Sequence, residues 1–562
     1  MPKNELPEAQ KADFESKRLF FFYTANYSQL CTGHKKRNAM RRWLLYLLPL
    51  LMLDACDRSG GLEDDSLLQN EKVYHGMIEL GEKLEDPYTV ANMQEALTKL
   101  YPTKAGRVDI KATDLYVRFL PADDAQLKRL QALDLYLMDH PMDYRIVREG
   151  DYYHDPEVGE EAITWQYAVV PQDFSFPEDI RYELLDECYI SEHDPLTRAD
   201  GGIDWLRVEE EAFRLTGNAD LWVPRTKGGS SAPAGRITIE DPAFSGGKPF
   251  GVAGVKVVCN IFVKISTTYT DRDGYYKMSK SFSGNPRYRL VFQNAKGFNI
   301  GLNLIIIPAS VSTLGKGSPE GMDVHINAES DGALFRRCAV NNAAYDYYSR
   351  CKDTDLDIQE PPKDLRIWIF PHLTSSSACM LHHGAFLSDD LLSEYLGNYL
   401  FVVKLFLPDI TLGTKAMDYG GIYRMTVHEL AHASHYAQVE NPYWNQYIRY
   451  VIKSFITEGW DPYGSGTGNG AGYCEVGEMW GHFMESTLYK DRYGGTLPIY
   501  GNRFWFKPDI FLNLYERGVS RKEIFRALKK EVTTIDDLKD QLVSLYPDRE
   551  QMIEESFRSY GK

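Results

Sequence analysis

The sequence predicts a multidomain protein that mixes helices and strands: an α+β module near the N-terminal end, a strand-rich middle, and an α+β domain at the C-terminal end. Three observations predict this. A chain of 562 residues has material for about two to four cores. An apolar fraction of 43 per cent and an aromatic fraction of 13 per cent place it among folded chains rather than disordered ones. The stretch 226–235 is dominated by Gly, Ser, Ala and Pro, the composition of a linker between folded units. A formal charge of −17, with no basic stripe, excludes nucleic acid as a partner.

Residues 1–55 read as a leader. Met40-Arg41-Arg42 precedes the mostly apolar run Trp43–Leu53 and then Asp54-Ala55-Cys56: a positive region, a short apolar core and a small residue before a cut. The run is too short to span a bilayer as a helix. Leu53-Asp54-Ala55-Cys56 resembles the bacterial lipobox, from which it departs at Asp54. The resemblance implies translation from Met40, lipidation of Cys56 and display on the cell envelope, at the outer membrane or cell surface. A short membrane anchor, or a cytosolic protein with an apolar N-terminal helix, is the rival reading.

Residues 56–225 form the first expected unit. Thr113–Pro121 alternates like a strand, Asp123–Leu133 has helical spacing, and Asp134–Met138 and Tyr144–Val147 read as further strands. This β-α-β pattern fits a small α+β module that carries no catalytic constellation. After the linker at 226–234, strand-like segments follow at Arg236–Asp241, Gly254–Val258 and Thr267–Lys277. Pro249–Val257 and Thr270–Tyr276 resemble the carboxypeptidase regulatory-like domain, with a longer Pro-to-Gly spacing. The resemblance implies a transthyretin-like β-sandwich middle domain over 235–298. Asp271 and Asp273 are read as turn residues, with Gly274 supplying positive φ, rather than as a calcium site.

Residues 299–562 carry the chemistry. Helical spacing is read over Ala333–Tyr348, and strands over Leu365–Phe370 and Tyr399–Pro408. Within the helix expected over Met425–Val439 lies His428-Glu429-Leu430-Ala431-His432, an H-E-x-x-H motif. Positions four apart share a helix face, so His428 and His432 can present both imidazoles to one zinc ion, with Glu429 placed to take a proton from a zinc-bound water. The histidine six residues after His432 that a metzincin would carry is Gln438, and His435 is read as a supporting or surface group. A third ligand is sought in Tyr473–Glu485, a second helical segment with Glu475, Glu478 and His482 on successive turns. The two segments together resemble the gluzincin group of zinc metallopeptidases. The resemblance implies Glu478 as third ligand, with Glu475 as runner-up, His482 where an acidic supporting residue is usual, and a zincin-like fold. Tyr473 is a candidate donor to the oxyanion. The glycine-rich run Asp461–Gly472 reads as a loop beside the site, and His382-His383 as a solvent-facing pair. Ser520-Arg521-Lys522-Glu523 forms a capping box ahead of a closing helix.

Cys188, Cys259, Cys338, Cys351, Cys379 and Cys474 are widely spaced and lack a C-x-x-C pair, which leaves neither a zinc ribbon nor a thioredoxin motif; pairing of Cys338 with Cys351 stays open. The expected function is a secreted, lipid-anchored zinc metallopeptidase acting on peptide or protein. A non-enzymatic surface protein, binding a partner or glycan around a structural zinc, is the alternative. A hydrolase of another amide is a third. Oligomeric state is not legible in the sequence.

Overall fold

The computed structural model describes residues 77–562 apart from short internal stretches, the longest being 195–201, 223–231, 302–308, 385–407 and 458–462. The expected leader with Cys56, most of the linker and nearly all of the strand expected at 399–408 therefore lie outside the described residues. The described chain is a mixed α/β protein with several sheets.

The N-terminal part contains β1 (Glu79–Lys83), β2 (Asp114–Leu120), β3 (Tyr144–Arg148), β4 (Gln166–Pro171) and β5 (Arg181–Cys188). β2 lies antiparallel between β4 and β5, and β1 pairs with β3. Val117, Phe119, Ala168 and Val170 form a core with Leu130 of the helix Asp124–Gln131. The strand expected at 134–138 is corrected to one bridge, Met138 to Tyr167. Leu135 and Leu137 instead pack into that same core, so their apolar side chains serve the core without forming a ladder. A second core joins helices Val90–Leu100 and Trp205–Leu215 through Met93, Ala96, Leu97, Val208 and Ala212. Each helix starts on a side chain that accepts an orphan backbone N–H, Thr89 from Asn92 and Asp204 from Arg207.

Two sheets follow. β6 (Ala234–Ile239) pairs with β7 (Phe250–Gly251) and, further along the chain, with β10 (Tyr275–Lys277) and β14 (Val324–Ile326). The seven-stranded sheet runs β16-β15-β12-β11-β8-β9, with β13 on β11; its strands are β8 (Val255–Ile261), β9 (Lys264–Tyr269), β11 (Arg287–Asn294), β12 (Phe298–Ile300), β13 (Val311–Lys316), β15 (Leu365–Phe370) and β16 (Ile410–Gly413). The expected boundary at 298–299 falls inside β12, which pairs antiparallel with β11 and parallel with β15. Strands β13 and β14, beyond that boundary, complete both sheets. At the β9–β10 turn, Asp271 Oδ1 accepts the N–H groups of Asp273 and Tyr275, and Gly274 has φ +83°. A Cβ at Gly274 would lie 2.1 Å from the Ile237 carbonyl oxygen, so only glycine fits this turn.

The N-terminal part is tied to this sheet through a buried charge. Lys264 on β9 is fully buried, and its Nζ meets Glu209 Oε1 at 2.7 Å and Glu192 Oε1 at 2.8 Å. Ser283 and Tyr88 donate to the other Glu209 oxygen.

The C-terminal part is mainly helical. Helix Gly332–Cys351, capped by Asp331, packs beside the helix Tyr419–Thr457, and the Tyr347 hydroxyl donates to Ser434 Oγ at 2.9 Å. Helix Ala471–Tyr493 also packs on the helix Tyr419–Thr457, where Trp480 Nε1 donates to the Ala431 carbonyl. Helices Asp509–Glu516, Arg521–Ala527, Ile535–Leu545 and Glu550–Ser559 follow, the second with its capping box formed in both directions. All six described cysteines are buried, and none of them forms a disulfide. Cys338 and Cys351 stand thirteen residues apart on one helix, about 20 Å along its axis, too far to pair. No helix of the described residues is long and apolar enough to cross a membrane.

Candidate metal centre

The motif helix runs without a break from Tyr419 to Val439, and its first half is apolar on most faces, which buries the polar motif. At Glu440 the backbone turns to φ 64°, ψ −178°, and Pro442 follows. Proline lacks the N–H and its ring blocks the preceding turn, so the helix restarts in a new direction. Asn441 holds the corner by accepting from Tyr436 at 2.8 Å and donating to the His383 carbonyl at 3.3 Å. The restarted helix folds Trp444 and Tyr447 back onto His432, with ring centroids 5.9 and 5.8 Å away.

His428, His432 and Glu478 converge. The two Nε2 atoms are 3.0 Å apart, His428 Nε2 is 3.5 Å from Glu478 Oε2, and His432 Nε2 is 3.6 Å from Glu478 Oε1. The three residues form a group that could hold a metal ion. All are at most 2 per cent exposed, and Glu429, between the histidines, is fully buried. Burial pushes the His432 imidazole down to about 3, leaving it neutral at pH 7 with a lone pair to offer. Burial works to raise the Glu478 carboxyl, but the His432 and His428 rings outweigh it and hold it at about 2. Both groups are therefore in the protonation states that a metal requires.

Backbone shape admits this convergence. Gly481 of the ligand helix faces the two rings, and a Cβ there would stand 2.8 Å from His428 Nε2 and 3.0 Å from His432 Cε1. Behind His428 sits Glu485. Its carboxylate meets His428 Nδ1 at 3.1 Å and His482 Nδ1 at 3.3 Å, and accepts from Tyr500 at 3.0 Å and Arg424 at 3.1 Å. Burial works to raise the Glu485 carboxyl, but His428 and His482 outweigh it and hold it far below the usual range. A proton on His428 Nδ1 pointing at Glu485 leaves Nε2 bare toward the cluster, the arrangement in which a carboxylate orients a metal-binding imidazole. His428, His482 and Glu485 are also spaced as a second metal-binding group. The Arg424 guanidinium on that carboxylate opposes a second cation, so these residues support the first group instead.

His482, expected to stand in the place of the usual acidic supporting residue, is not the group on His428 Nδ1: that contact is made by Glu485, and the His482 ring stacks on Phe504 at 4.8 Å. Glu475, the runner-up ligand, forms an ion pair with Lys562 and is not in the cluster. Tyr473 lies with its ring edge on Tyr443, 4.6 Å away, and no hydrogen bond among the described residues joins it to the three converging groups. His435 is fully buried against Tyr443 and Trp444 rather than at the surface. His382 and His383 do not face solvent as a pair: His382 Nε2 meets Asp364 at 3.1 Å and His383 Nδ1 meets Asp409 at 2.9 Å.

Three residues were missed in the sequence reading. Glu485 had a signal, since seven residues after Glu478 is two turns along the same helix face. Gly481, a small residue between them, had the same one. Tyr447, which donates to Glu478 Oε1 at 2.6 Å, had none, because its position depends on the break at Glu440. No protein-family model matches the chain, and no curated protein or solved structure matches it.

Proposed function

We propose that this chain is a zinc-dependent metallopeptidase of gluzincin type, with a zincin-like C-terminal domain, a regulatory-like β-sandwich ahead of it, and a lipid anchor at Cys56 on the cell envelope. The observation that carries the reading is the convergence of two Nε2 atoms and one carboxylate at separations of 3.0 to 3.6 Å. Ligands on a tetrahedral ion with bonds of about 2.1 Å stand about 3.4 Å apart, so the residues fit zinc. Two bare imidazole nitrogens at 3.0 Å also repel unless a proton or a cation lies between them.

In this reading His428, His432 and Glu478 hold the zinc, which supplies a Lewis acid that acidifies water and polarises the scissile carbonyl. Glu429 removes a proton from the attacking water and delivers it to the departing amine nitrogen. Glu485 fixes the His428 ring through Nδ1. Tyr473 receives no part in the proton transfers. Peptide as the substrate class rests on the gluzincin resemblance; the edge of β16 is itself covered, since Ser377 exchanges both backbone hydrogen bonds with Thr411, and Ala378 O accepts from Trp444, the ring on His432.

The depth of the cluster favours a second reading, a surface binding protein with a structural zinc. Glu429→Gln separates the two. Elemental analysis of the purified chain should give one zinc, lost in Glu478→Ala and retained in Glu475→Ala and Glu429→Gln. Peptide hydrolysis that survives only in the Glu475 variant supports the peptidase. Zinc without any Glu429-dependent function leaves the binding protein, and no zinc in the reloaded wild type overturns both.

A further inference from the structure

We infer that Tyr447 is a positioning residue that makes Glu478 bind through a single oxygen, an inference that rests on the metal reading above. A carboxylate beside a cation can bind with one oxygen or with two, and what its oxygens otherwise touch decides between them. Here the two oxygens of Glu478 differ. Tyr447 donates to Oε1 at 2.6 Å, a separation typical of the short, strong bonds between hydroxyls and carboxylates. Oε2 is buried, has no hydrogen-bond partner among the described residues, and is the oxygen nearer His428 Nε2. A buried carboxylate oxygen left without a donor is costly, and a cation removes that cost. A tyrosine serving only to satisfy a buried acid would leave Oε2 unexplained.

The hydroxyl is held where it is. Tyr447 is 5 per cent exposed, with its ring 4.7 Å from Trp444 and 5.8 Å from His432. Trp444 is fixed in turn by its hydrogen bond to the Ala378 carbonyl at 3.0 Å. Both rings sit beyond the break at Glu440, so the restarted helix delivers the donor to a carboxylate on a different helix. The ring packing would remain in Tyr447→Phe, and the hydrogen bond to Glu478 would go.

The test measures zinc affinity by competition with a chromophoric chelator, records the visible spectrum of the cobalt-loaded protein, and follows thermal unfolding of the metal-stripped protein. Tyr447→Phe should still unfold cooperatively when stripped, below the wild type because Glu478 Oε1 loses its donor, and should bind zinc about 10- to 100-fold more weakly, the usual loss when a group supporting a metal ligand is removed. Its cobalt bands should move and weaken as the freed carboxylate takes up the ion with both oxygens. 3-Fluorotyrosine placed at position 447 keeps the hydroxyl and covers the case of a misfolded variant: its fluorine resonance should shift on zinc addition. Wild-type protein that binds zinc, with Tyr447→Phe matching it in affinity and cobalt spectrum, overturns the role of Tyr447 and leaves the metal centre standing. A fluorine resonance indifferent to bound zinc overturns it equally. Wild-type protein that takes up neither zinc nor cobalt overturns the metal reading, and this inference with it.

Discussion

Gly481→Ala should separate the stability of this fold from the competence of its proposed metal centre. The new Cβ would stand 2.8 Å from His428 Nε2 and Cε1, against 3.4 Å for the shortest ordinary contact, so the ring must retreat by about 0.6 Å. Two effects act on stability with opposite sign. Replacing a mid-helix glycine by alanine gains about 1 kcal/mol of helix propensity. Overpacking a dense core costs about 1–3 kcal/mol. The metal-stripped protein should therefore lose no more than about 2 kcal/mol, readable as a modest shift in the urea midpoint. The centre has no such compensation, because binding sites tolerate displacements of only about 0.5 Å before affinity falls. Moving His428 also strains its Nδ1 contact to Glu485, already 3.1 Å long. Zinc affinity should fall at least tenfold, measured by chelator competition beside the unfolding curve. A Gly481→Ala protein that binds zinc as the wild type does would refute the claim that this glycine makes room for the ligands. A collapse of the whole fold would refute the separation.

Two further outcomes follow from buried charges. Lys264→Met should destabilise the chain by about 3–5 kcal/mol in urea, because the fully buried Glu209 then lies beside the half-buried Glu192 without their shared cation. The double variant Lys264→Met/Glu209→Gln should recover part of that loss, and a Lys264→Met cost below about 1 kcal/mol would contradict the reading. His435 is held down to about 3 by burial, so below pH 6.5 the unfolded chain takes up a proton that the folded chain refuses. Its contribution is intact above pH 6.5 and drains away toward pH 3. With metal removed, His435→Leu should gain on the wild type by about 2 kcal/mol between pH 6.5 and pH 5, and a constant difference across that range would show that His435 is not buried as described.

What could be read in the sequence followed from regular periods. The helices around His428 and Glu478, the capping box at Ser520 and the turn at Asp271–Gly274 each have a local pattern with one physical solution. The helix end at Val439 was legible as well, since Pro442 cannot continue a helix. The turn that follows was not: Glu440 carries no mark of the positive φ it adopts, which usually asks for glycine. The strand expected at 134–138 failed because alternating leucines suit a sheet and a core-packing segment equally. β12 was out of reach for another reason. Three residues shared between two pairings have no period, and their place is set by partners distant in sequence.

The break at Glu440 also bears on how the site comes together. On an unbroken helix His432 and Tyr447 would be separated by about 22 Å; the fold brings their rings to 5.8 Å within a segment of sixteen residues. Both histidines and their aromatic wall thus belong to one stretch of local sequence, and Glu478 arrives on the next helix along. Contacts so near in sequence close with little loss of chain entropy, and helical hairpins form fast. The centre is therefore expected to take shape as a hairpin early in folding, before the long-range pairing of β12 with β15 joins the two ends of the large sheet. Metal added during refolding should then accelerate it, while metal added afterwards should act on stability alone.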